Sequence, residues 1–522
     1  MDDVVIPESI ESIGHEAFNG CSKLPVINNL QYVGTCLVGN LAKCQRTYNI
    51  LKGTRIIADG VFEGCAELEE ITIPDSVEII GSSAFRNCAK LKKVNLPKSL
   101  RFIPYNAFEN CIELEKIAIP DSVENINSYA FGGCQRLKYI IVLNSMKTIG
   151  EYAYMNCSGL EIPDSVETVY NSFSGCKQQK HNVLPNSLKT IGEYAFRDCV
   201  ELEEIVISDS VEVIEQSTFL GCEKLSKVVL SNSIKKLNAY TFGGCISLEE
   251  IVIPDSVEII DSKAFIDWRL GWRKASTVRK IVLPKSLKAI ENETFERFKE
   301  LEEIIIPNSV ETIGKEAFRS CSKLRKVTLS KSLKSIGEYA FSECYNLEEI
   351  VIPDSVESIG ERAFWCCEKL KVIDLPNNIE KIESHTFCKC SDLREVFIPS
   401  STSLIGDSAF EGCYKLHTVS LPVKNIKIGS RAFKGCNGLS VDSLFKIRMA
   451  RFVLFSKILS IILLVILISW GTGRLTFYLA FDSYVGPFMS IIAGLFIWLG
   501  ISSIIEFVRN VYRKLKKKDR NS

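Results

Sequence analysis

The chain has 522 residues, with 63 Lys and Arg balanced by 63 Asp and Glu, so its formal net charge is zero. This length suits two or three ordinary domains. The balanced charge provides no general electrostatic attraction to nucleic acid or to an acidic membrane over the whole surface. The hydrophobic content of 46% is ordinary for a globular protein, which excludes general disorder.

The first ten residues, MDDVVIPESI, contain two acids and no apolar run. A secretory signal peptide has a positively charged start followed by an apolar segment, so none is predicted here. The motif around Pro7 is already a repeat, which means that the chain opens inside an array without a capping segment. Either the natural start lies upstream, or the first coil is capped in another way.

The sequence from residue 1 to 440 is an internal repeat. Its motif Ile-Pro-Asp-Ser-Val begins at Ile73, and we number repeat positions from the Pro of this motif as position 0. Most steps are 23 residues, residues 28–51 form a degenerate copy, and residues 268–280 carry an insertion. Position 0 recurs at Pro74, Pro97, Pro120, Leu143, Pro163, Pro185, Ser208, Ser231, Pro254, Pro284, Pro307, Ser330, Pro353, Pro376, Pro399 and Pro422.

The repeat predicts a solenoid. Its Leu-x-x-Ile-x-Ile end alternates with period two, which indicates a short strand. A single unit cannot bury its own apolar side, whereas stacked units cover one another. We therefore predict a mainly β solenoid over residues 1–440, with one short parallel strand per coil and an irregular or 3-10 return. Sixteen or more coils at a strand spacing of about 4.8 Å give a rod roughly 75 Å long.

The segment AFRNCAKLKKVNLPKSLRFI (residues 84–103) resembles the BspA-like, or treponemal-type, leucine-rich repeat. The variant YVGTCLVGN and its continuation to residue 65 resemble an irregular coil of the same family. The resemblance covers about residues 1–440. It implies a leucine-rich-repeat solenoid and a surface protein that binds matrix proteins or other cells.

Position +4 of the repeat alternates in charge from coil to coil. Neighbouring coils of a solenoid lie about 5 Å apart, so a column of one sign would repel itself. Alternation turns the column into a ladder of opposite neighbours, and it indicates that a pair of coils was the unit of duplication. The column reads Glu78, Arg101, Glu124, Lys147, Glu167, Lys189, Glu212, Lys235, Glu258, Lys288, Glu311, Lys334 and Glu357.

Sixteen of the 20 cysteines occupy position +14, three residues after a Phe. Trp268 and Phe298 replace Cys at this position in two coils, so the position favours a buried apolar side chain, and we predict a ladder of free thiols. Disulfides between adjacent coils also meet the distance requirement, although each Cys would then have two equivalent partners. A metal site at the dense pairs Cys366–Cys367 and Cys388-x-Cys390 lacks the usual zinc spacing.

The sequence predicts neither catalysis nor a cofactor. The four histidines (His15, His181, His385 and His417) fall at different repeat positions, so no two share a face by register. No phosphate-binding glycine loop, nucleophile elbow or zinc-protease motif is present. Catalytic sites need converging reactive groups, and this arrangement provides none.

The composition changes abruptly after Val441. Residues 452–470 and 485–508 are each apolar and long enough to span a bilayer core of about 30 Å, which predicts a transmembrane α-helical hairpin. Residues 441–451 form a basic linker before the first span, and residues 509–522 form a basic cytosolic tail.

The sequence leaves two alternatives for the side of the membrane that carries the repeats. Basic residues flank the outer ends of both spans, whereas the connecting loop has one, and this bias places the solenoid in the cytosol. The missing signal peptide agrees, but the family resemblance implies display at the cell surface. A single true span, at residues 485–508, would restore surface display. Two hypotheses follow: a membrane-anchored recognition or adhesion protein, and a membrane-tethered scaffold facing the cytosol.

The predicted partner is a protein or a glycan, and the predicted contact lies on the strands. Successive strand residues alternate in direction, so position −2 faces the same side as position −4. An apolar column with a charged rim is typical of a protein-binding surface, although β-branched residues also suit strands in general. The predicted partner-binding residues at position −2 are Val206, Val229, Val252, Val282, Ile305 and Val351. They are bordered at position −4 by Glu204, Lys227, Glu250, Lys280, Glu303, Lys326 and Glu349.

Overall fold

A computed structural model describes residues 4–41, 44–141, 146–158, 162–176, 181–267, 269, 276–422, 426–440, 443 and 447. The chain divides into two compact units, residues 1–450 and 451–522. The first unit is a mainly β solenoid of about sixteen coils, and its described residues from 4 to 440 contain no α-helix. The solenoid predicted from the repeat is therefore confirmed.

The first series of strands follows the Leu-x-x-Ile-x-Ile segments of the repeat, at positions −4 to −2. These strands are β4 (Thr47–Asn49), β6 (Glu70–Thr72), β8 (Lys93–Asn95), β10 (Lys116–Ala118), β12 (Tyr139–Ile141), β15 (His181–Val183), β17 (Glu204–Val206), β19 (Lys227–Val229), β21 (Glu250–Val252), β23 (Lys280–Val282), β25 (Glu303–Ile305), β27 (Lys326–Thr328), β29 (Glu349–Ile350), β31 (Val372–Asp374), β33 (Glu395–Phe397) and β35 (Thr418–Ser420).

Each coil from residue 51 onward also contains a second strand, at positions +5 and +6. These strands are β5 (Ile56–Ile57), β7 (Ile79–Ile80), β9 (Phe102–Ile103), β11 (Asn125–Ile126), β13 (Thr148–Ile149), β14 (Thr168–Val169), β16 (Thr190–Ile191), β18 (Val213–Ile214), β20 (Lys236–Leu237), β22 (Ile259–Ile260), β24 (Ala289–Ile290), β26 (Thr312–Ile313), β28 (Ser335–Ile336), β30 (Ser358–Ile359), β32 (Lys381–Ile382), β34 (Leu404–Ile405) and β36 (Lys427–Ile428). The prediction of one strand per coil was therefore wrong. A two-residue strand is too short to produce a readable alternation in the sequence.

Both series pair in parallel between coils, in several short sheets and in the register set by the repeat. In the first series Ile304 pairs with Val327, and in the second series Ile313 pairs with Ile336, each 23 residues further on. The Ser of the Ile-Pro-Asp-Ser-Val motif adds a side-chain link, because Ser355 Oγ donates to the carbonyl of Leu333 in the preceding coil at 2.7 Å. The Gly at position +7 lets the coils approach closely, since a Cβ on Gly337 would lie 2.5 Å from the backbone of Gly314.

The return segment is also bonded between coils. The amides of Ser83, Phe85 and Asn87 donate to the next coil at 2.8–2.9 Å, to carbonyls 22 residues further on. The intervening amides donate to carbonyls three residues back within the same coil. This alternation requires left-handed backbone at Ser83 (φ 57°) and Asn87 (φ 60°), which suits Asn and Gly and explains their frequency at position +13.

One buried aromatic ring per coil, at position +11, forms a continuous column through the core. Consecutive ring centroids are 5.2–5.9 Å apart, with one gap of 6.5 Å between Phe265 and Phe295 at the insertion. Phe298, which replaces Cys in that coil, fills the gap and meets both rings edge-on at 5.3 Å. The large residue at the Cys position therefore compensates for the disturbed stacking.

The cysteines of position +14 lie beside this column, and all but Cys21 are buried. The thiol of Cys222 donates to the carbonyl of Phe196 in the preceding coil at 3.1 Å, and the same contact recurs along the solenoid. The amide of Cys199 donates to that same Phe196 carbonyl at 3.3 Å. In the coils that have Cys at position +14, this small buried side chain also provides a weak donor to the Phe carbonyl. Every cysteine in the described residues is a free thiol.

Arg269, which belongs to the insertion, forms ion pairs with two aspartates. Its guanidinium binds the buried carboxylate of Asp267 at 3.0 Å and also contacts Asp198, 71 residues earlier in the chain. The hydrogen bond with Asp267 is the main cause that raises the pKa of Arg269. Between the two acids the chain has glycines at position +13, and a Cβ on Gly221 would lie 2.4 Å from Arg269. The glycines therefore leave room for the Arg269 side chain to extend across these coils to Asp198.

Both ends of the repeat array depart from the coil pattern. At the start, β1 (Val26–Ile27), β2 (Leu30–Val33) and β3 (Cys36–Asn40) pair in antiparallel fashion, so the degenerate copy at residues 28–51 begins as a hairpin. At the far end, Ser443 and Ile447 are buried, and Ile447 belongs to the core of the last coils.

In the part of the chain that the structure describes, no helix is both long enough and apolar enough to cross a bilayer. The predicted spans at residues 452–470 and 485–508 and the tail at 509–522 lie outside the described residues, as does nearly all of the linker at 441–451.

A candidate binding face on the first strand series

Where the side chains of the first series are described, position −3 faces the core and positions −4 and −2 face solvent. In β21 the side chain of Ile251 is buried, whereas Glu250 and Val252 are exposed on either side of it. The same pattern holds in β23, β25 and β27. Positions −4 and −2 of successive coils therefore form one outer surface. We call this surface, together with the neighbouring position +1, the outer strand face.

The predicted partner-binding residues form a single column on this face, because the coils stack with equivalent positions next to each other. Val206 is half-buried, Val229 and Val282 are 43% exposed, and Val252 is 61% exposed. Ile305 and Val351 are 70% and 73% exposed. Such exposure is unusual for large β-branched side chains, which are among the residues most often buried.

Charged residues border the column on the side of position −4. Lys280 Nζ lies 3.4 Å from Glu250 Oε2, and Lys227 pairs with Glu204. The pairs join adjacent coils, since Glu250 and Lys280 are direct partners in the strand register. The alternation of charge therefore gives each cation an anion beside it on this face.

A second rim, at position +1, was not predicted. Lys285 Nζ lies 3.2 Å from Asp255 Oδ2, and the Lys285 backbone amide also donates to this carboxylate, which lowers the pKa of Asp255. The rim residues are Asp209, Asn232, Asp255, Lys285, Asn308, Lys331 and Asp354, all exposed. Their signal in the sequence is the variation of position +1 among Asp, Asn and Lys, while position +2 is Ser in all seven coils.

The two rims and the apolar column enclose a shallow groove of 970 Å³ over β23, β25 and β27. Its floor contains Val282, Ile305 and Thr328, and its edges include Lys280 and Lys331. An apolar floor with polar edges is the arrangement found in the contact regions of protein interfaces.

The charge ladder at position +4 lies next to the second strand series. Lys147 Nζ is 2.6 Å from Glu124, and Lys334 Nζ is 2.6 Å from Glu311. Hydrogen bonds from these lysines lower the pKa of Glu124 and of Glu311. A lowered carboxyl pKa stabilises the fold above the ordinary glutamate pKa, and this stabilisation is lost as the pH falls through the lowered value.

Reversing one charge of this ladder tests its contribution. Lys235 lies between Glu212 and Glu258, 3.9 Å from the latter, so Lys235→Glu creates three successive acids. We expect a lower melting temperature whose deficit shrinks between low salt and about 0.5 M NaCl, because exposed charges are screened over about 10 Å at 0.1 M. Lys235→Gln, which removes the attraction without adding repulsion, should lie between wild type and Lys235→Glu. A deficit independent of salt would instead indicate a packing defect.

Among the described residues, no three His, Cys, Asp or Glu side chains are arranged to hold a metal ion. The dense cysteines do not form such a group: Cys366 and Cys388 lie on adjacent coils, where the amide of Cys366 donates to the carbonyl of Cys388 at 2.9 Å. Burial is the main cause that raises the pKa of Cys366, to about 11.

The repeat region matches the family model described as a BspA type leucine rich repeat region, over residues 1–50, 55–172, 158–270, 273–394 and 311–440. No curated protein matches the chain significantly. Repeats of this kind build solenoids that typically bind other molecules and do not catalyse reactions.

Two of the solved structures that match the chain are bacterial leucine-rich repeat proteins. A leucine-rich repeat protein from Bacteroides ovatus is 25% identical over 80% of this chain and 93% of its own, with a TM-score of 0.44. A leucine rich cell surface protein from Faecalibacterium prausnitzii is 23% identical over 81% of this chain and 99% of its own, with a TM-score of 0.33. Family membership rests on the match to the repeat, which spans most of residues 1–440. This chain belongs to the BspA-type leucine-rich-repeat family.

Proposed function

We propose that this chain is a membrane-anchored recognition or adhesion protein that binds a protein partner through its outer strand face, without catalysis. The observation that carries the proposal is the column of exposed Val and Ile side chains in the middle of the solenoid, between two charged rims. Single exposed apolar residues need no explanation, but a column of them rimmed by polar groups is characteristic of an interaction surface.

Two features of the face favour a protein over a glycan. The column consists of aliphatic side chains, which offer contact area without directed hydrogen bonds. Polar residues also occupy position −2 in outer coils: Asp374 follows Val351, and Thr72 and Asn95 lie near the other end of the array. The face is therefore centred on the coils from β17 to β29 (Glu349–Ile350).

The anchor in this proposal is the C-terminal apolar sequence. Residues 452–470 contain one Lys near their start, and residues 485–508 contain one Glu near their end. Stretches of this length and composition span bilayers as helices. Display of the repeats outside the cell requires one true span, so we propose that residues 485–508 cross the membrane and that the basic tail at residues 509–522 lies in the cytosol.

The proposed binding face is tested by Val229→Thr, Val252→Thr and Val282→Thr combined in the full chain. Threonine keeps the β-branched shape and strand preference while removing apolar contact. We expect at least about a tenfold loss of binding to immobilised extracellular-matrix proteins, because buried apolar contacts at the centre of an interface carry most of its affinity.

The matched control carries Val213→Thr and Ile259→Thr, which make the same change at exposed residues of the second strand series (38% and 49% exposed). This variant should bind like wild type. If the triple variant binds as well as the control, the partner docks elsewhere, for example on the insertion at residues 268–280.

A second candidate, a membrane-tethered scaffold facing the cytosol, is favoured by the basic residues on the outer sides of both apolar segments. Protease treatment of intact cells distinguishes the two. Loss of the repeats from intact cells supports recognition outside the cell, and their full protection supports the cytosolic scaffold.

A further inference from the structure

The outer strand face is complementary to itself. We propose that the protein partner of this face is a second copy of this chain, docked face to face and antiparallel about a two-fold axis between β21 and β23. This inference rests on the proposed function only in assigning binding to this face. Its support is the order of charges along the two rims, which follows from the order of the coils and from the strand register within each sheet.

The geometry follows from symmetry. A two-fold axis that lies in the interface and runs along the strands reverses the order of the coils but preserves position along each strand. Each column therefore faces the same column of the second copy, read in the opposite direction. A closed pair of this kind uses the same patch on both copies, as most homodimers do.

The rim at position −4 matches in every coil of this arrangement. Glu250 of one copy faces Lys280 of the other, since the axis passes between their coils. One coil further out, Lys227 faces Glu303, and beyond that Glu204 faces Lys326. The strict alternation places opposite charges together because each facing pair joins an odd-numbered coil to an even-numbered one.

The rim at position +1 matches about the same axis, although its residues do not alternate strictly. Asp255 faces Lys285, and Asp209 faces Lys331. Between them Asn232 faces Asn308, and two amides can exchange hydrogen bonds. A second rim that fits the same axis independently is the observation that separates this arrangement from chance alternation in one column.

The apolar column lies between the matched rims. Val252 faces Val282 at the axis, and Val229 faces Ile305 on either side of it. These four residues are 43–70% exposed in the single chain, so pairing would remove substantial apolar surface from water. The six coils from β17 to β27 extend about 25 Å at a strand spacing of about 4.8 Å.

Shifting the second copy by one coil position destroys the match. With the axis through β21 itself, Glu250 would face Glu250 of the other copy, and Lys227 would face Lys280. Like charges brought together at an interface disfavour a wrong arrangement strongly, so the rims select the register as well as the partner.

A charge swap between two differently mutated copies tests the proposal on the full chain in detergent solution, by sedimentation velocity. In Glu250→Lys, both central contacts become Lys facing Lys280. In Lys280→Glu, both become Glu facing Glu250. We expect wild type to dimerise and each variant alone to associate more than about tenfold more weakly. An equimolar mixture should dimerise again, because both central contacts of the mixed pair are then opposite in sign.

The mixture isolates the contact between copies. Each variant keeps its own disturbed ladder within the chain, so recovery on mixing cannot come from restored folding. A monomeric wild type at about 0.1 mM, variants that dimerise as well as wild type, or a mixture that stays monomeric would each overturn the proposal. The outcome is separable from the proposed function, since loss of matrix binding in the Val→Thr triple variant would still support a binding face if no dimer formed.

Discussion

Raising the pH from about 8 to about 10 is expected to unfold the solenoid before its lysines lose their charge. Burial raises the pKa of the Cys134 thiol to about 12, from an ordinary value of 9.0. Burial is likewise the main cause that raises the pKa of twelve further thiols at position +14: Cys65, Cys88, Cys111, Cys157, Cys176, Cys222, Cys245, Cys321, Cys344, Cys367, Cys390 and Cys413.

The sign of this pH dependence follows from the linkage between thiol ionisation and unfolding. Below pH 9 the thiols are protonated in both the folded and the unfolded chain, so the full stability is present. As the pH rises above 9, the unfolded thiols ionise while the folded ones cannot, and the unfolded chain is favoured. Each such thiol removes about 1.4 kcal/mol of unfolding free energy per pH unit. Because many thiols act together, the transition should be steep.

Circular dichroism in reducing buffer, recorded together with the reaction of thiols towards an alkylating reagent, measures this transition. A variant with Cys88→Ser, Cys111→Ser and Cys134→Ser provides the control, since Ser keeps a donor for the Phe carbonyl but does not ionise in this range. Its unfolding free energy should fall less steeply with pH, by about 4 kcal/mol per pH unit. Thiols that react at pH 8 as fast as free cysteine would contradict their burial.

Removing one ring from the aromatic column should have the second large effect. Phe219 is completely buried, and its ring lies 5.6 Å from those of Phe196 and Phe242. We expect Phe219→Ala to lower the free energy of unfolding by about 3–5 kcal/mol, since truncation leaves a cavity that the stacked coils cannot close. Because each coil contacts only its neighbours, the defect should also split the unfolding into two transitions.

Urea unfolding followed by circular dichroism measures both effects. Phe219→Leu, which keeps most of the apolar volume, should lose less stability than Phe219→Ala. Phe219→Tyr tests whether another aromatic ring can replace Phe in the column. Tyr154 occupies the same repeat position and is buried between Phe131 and Phe173. Equal losses for Ala and Leu would show that ring stacking, and not filled volume, determines the stability of this position.

Much of the candidate face could be derived from the sequence. The 23-residue period sets which residues are neighbours in adjacent coils, and alternation within the strand places Val252 beside Glu250 on one face. The charge alternation at position −4 therefore implies the ion pair between Glu250 and Lys280 that the structure contains. The rim at position +1 was harder to predict, because it lies past the Pro at position 0, where the strand alternation no longer determines direction.

The sequence by itself determined the solenoid, its register and the inward direction of the Phe and Cys positions, because every coil repeats one local pattern and contacts only its neighbours. Tertiary structure alone decided the features that depend on contacts between different coils. The second strand exists because two residues per coil pair with the next coil, and Tyr194 adopts φ 54° because its amide bonds across coils. Arg269 reaches Asp198 only because the solenoid brings residues 71 positions apart within hydrogen-bonding distance, which no local pattern encodes.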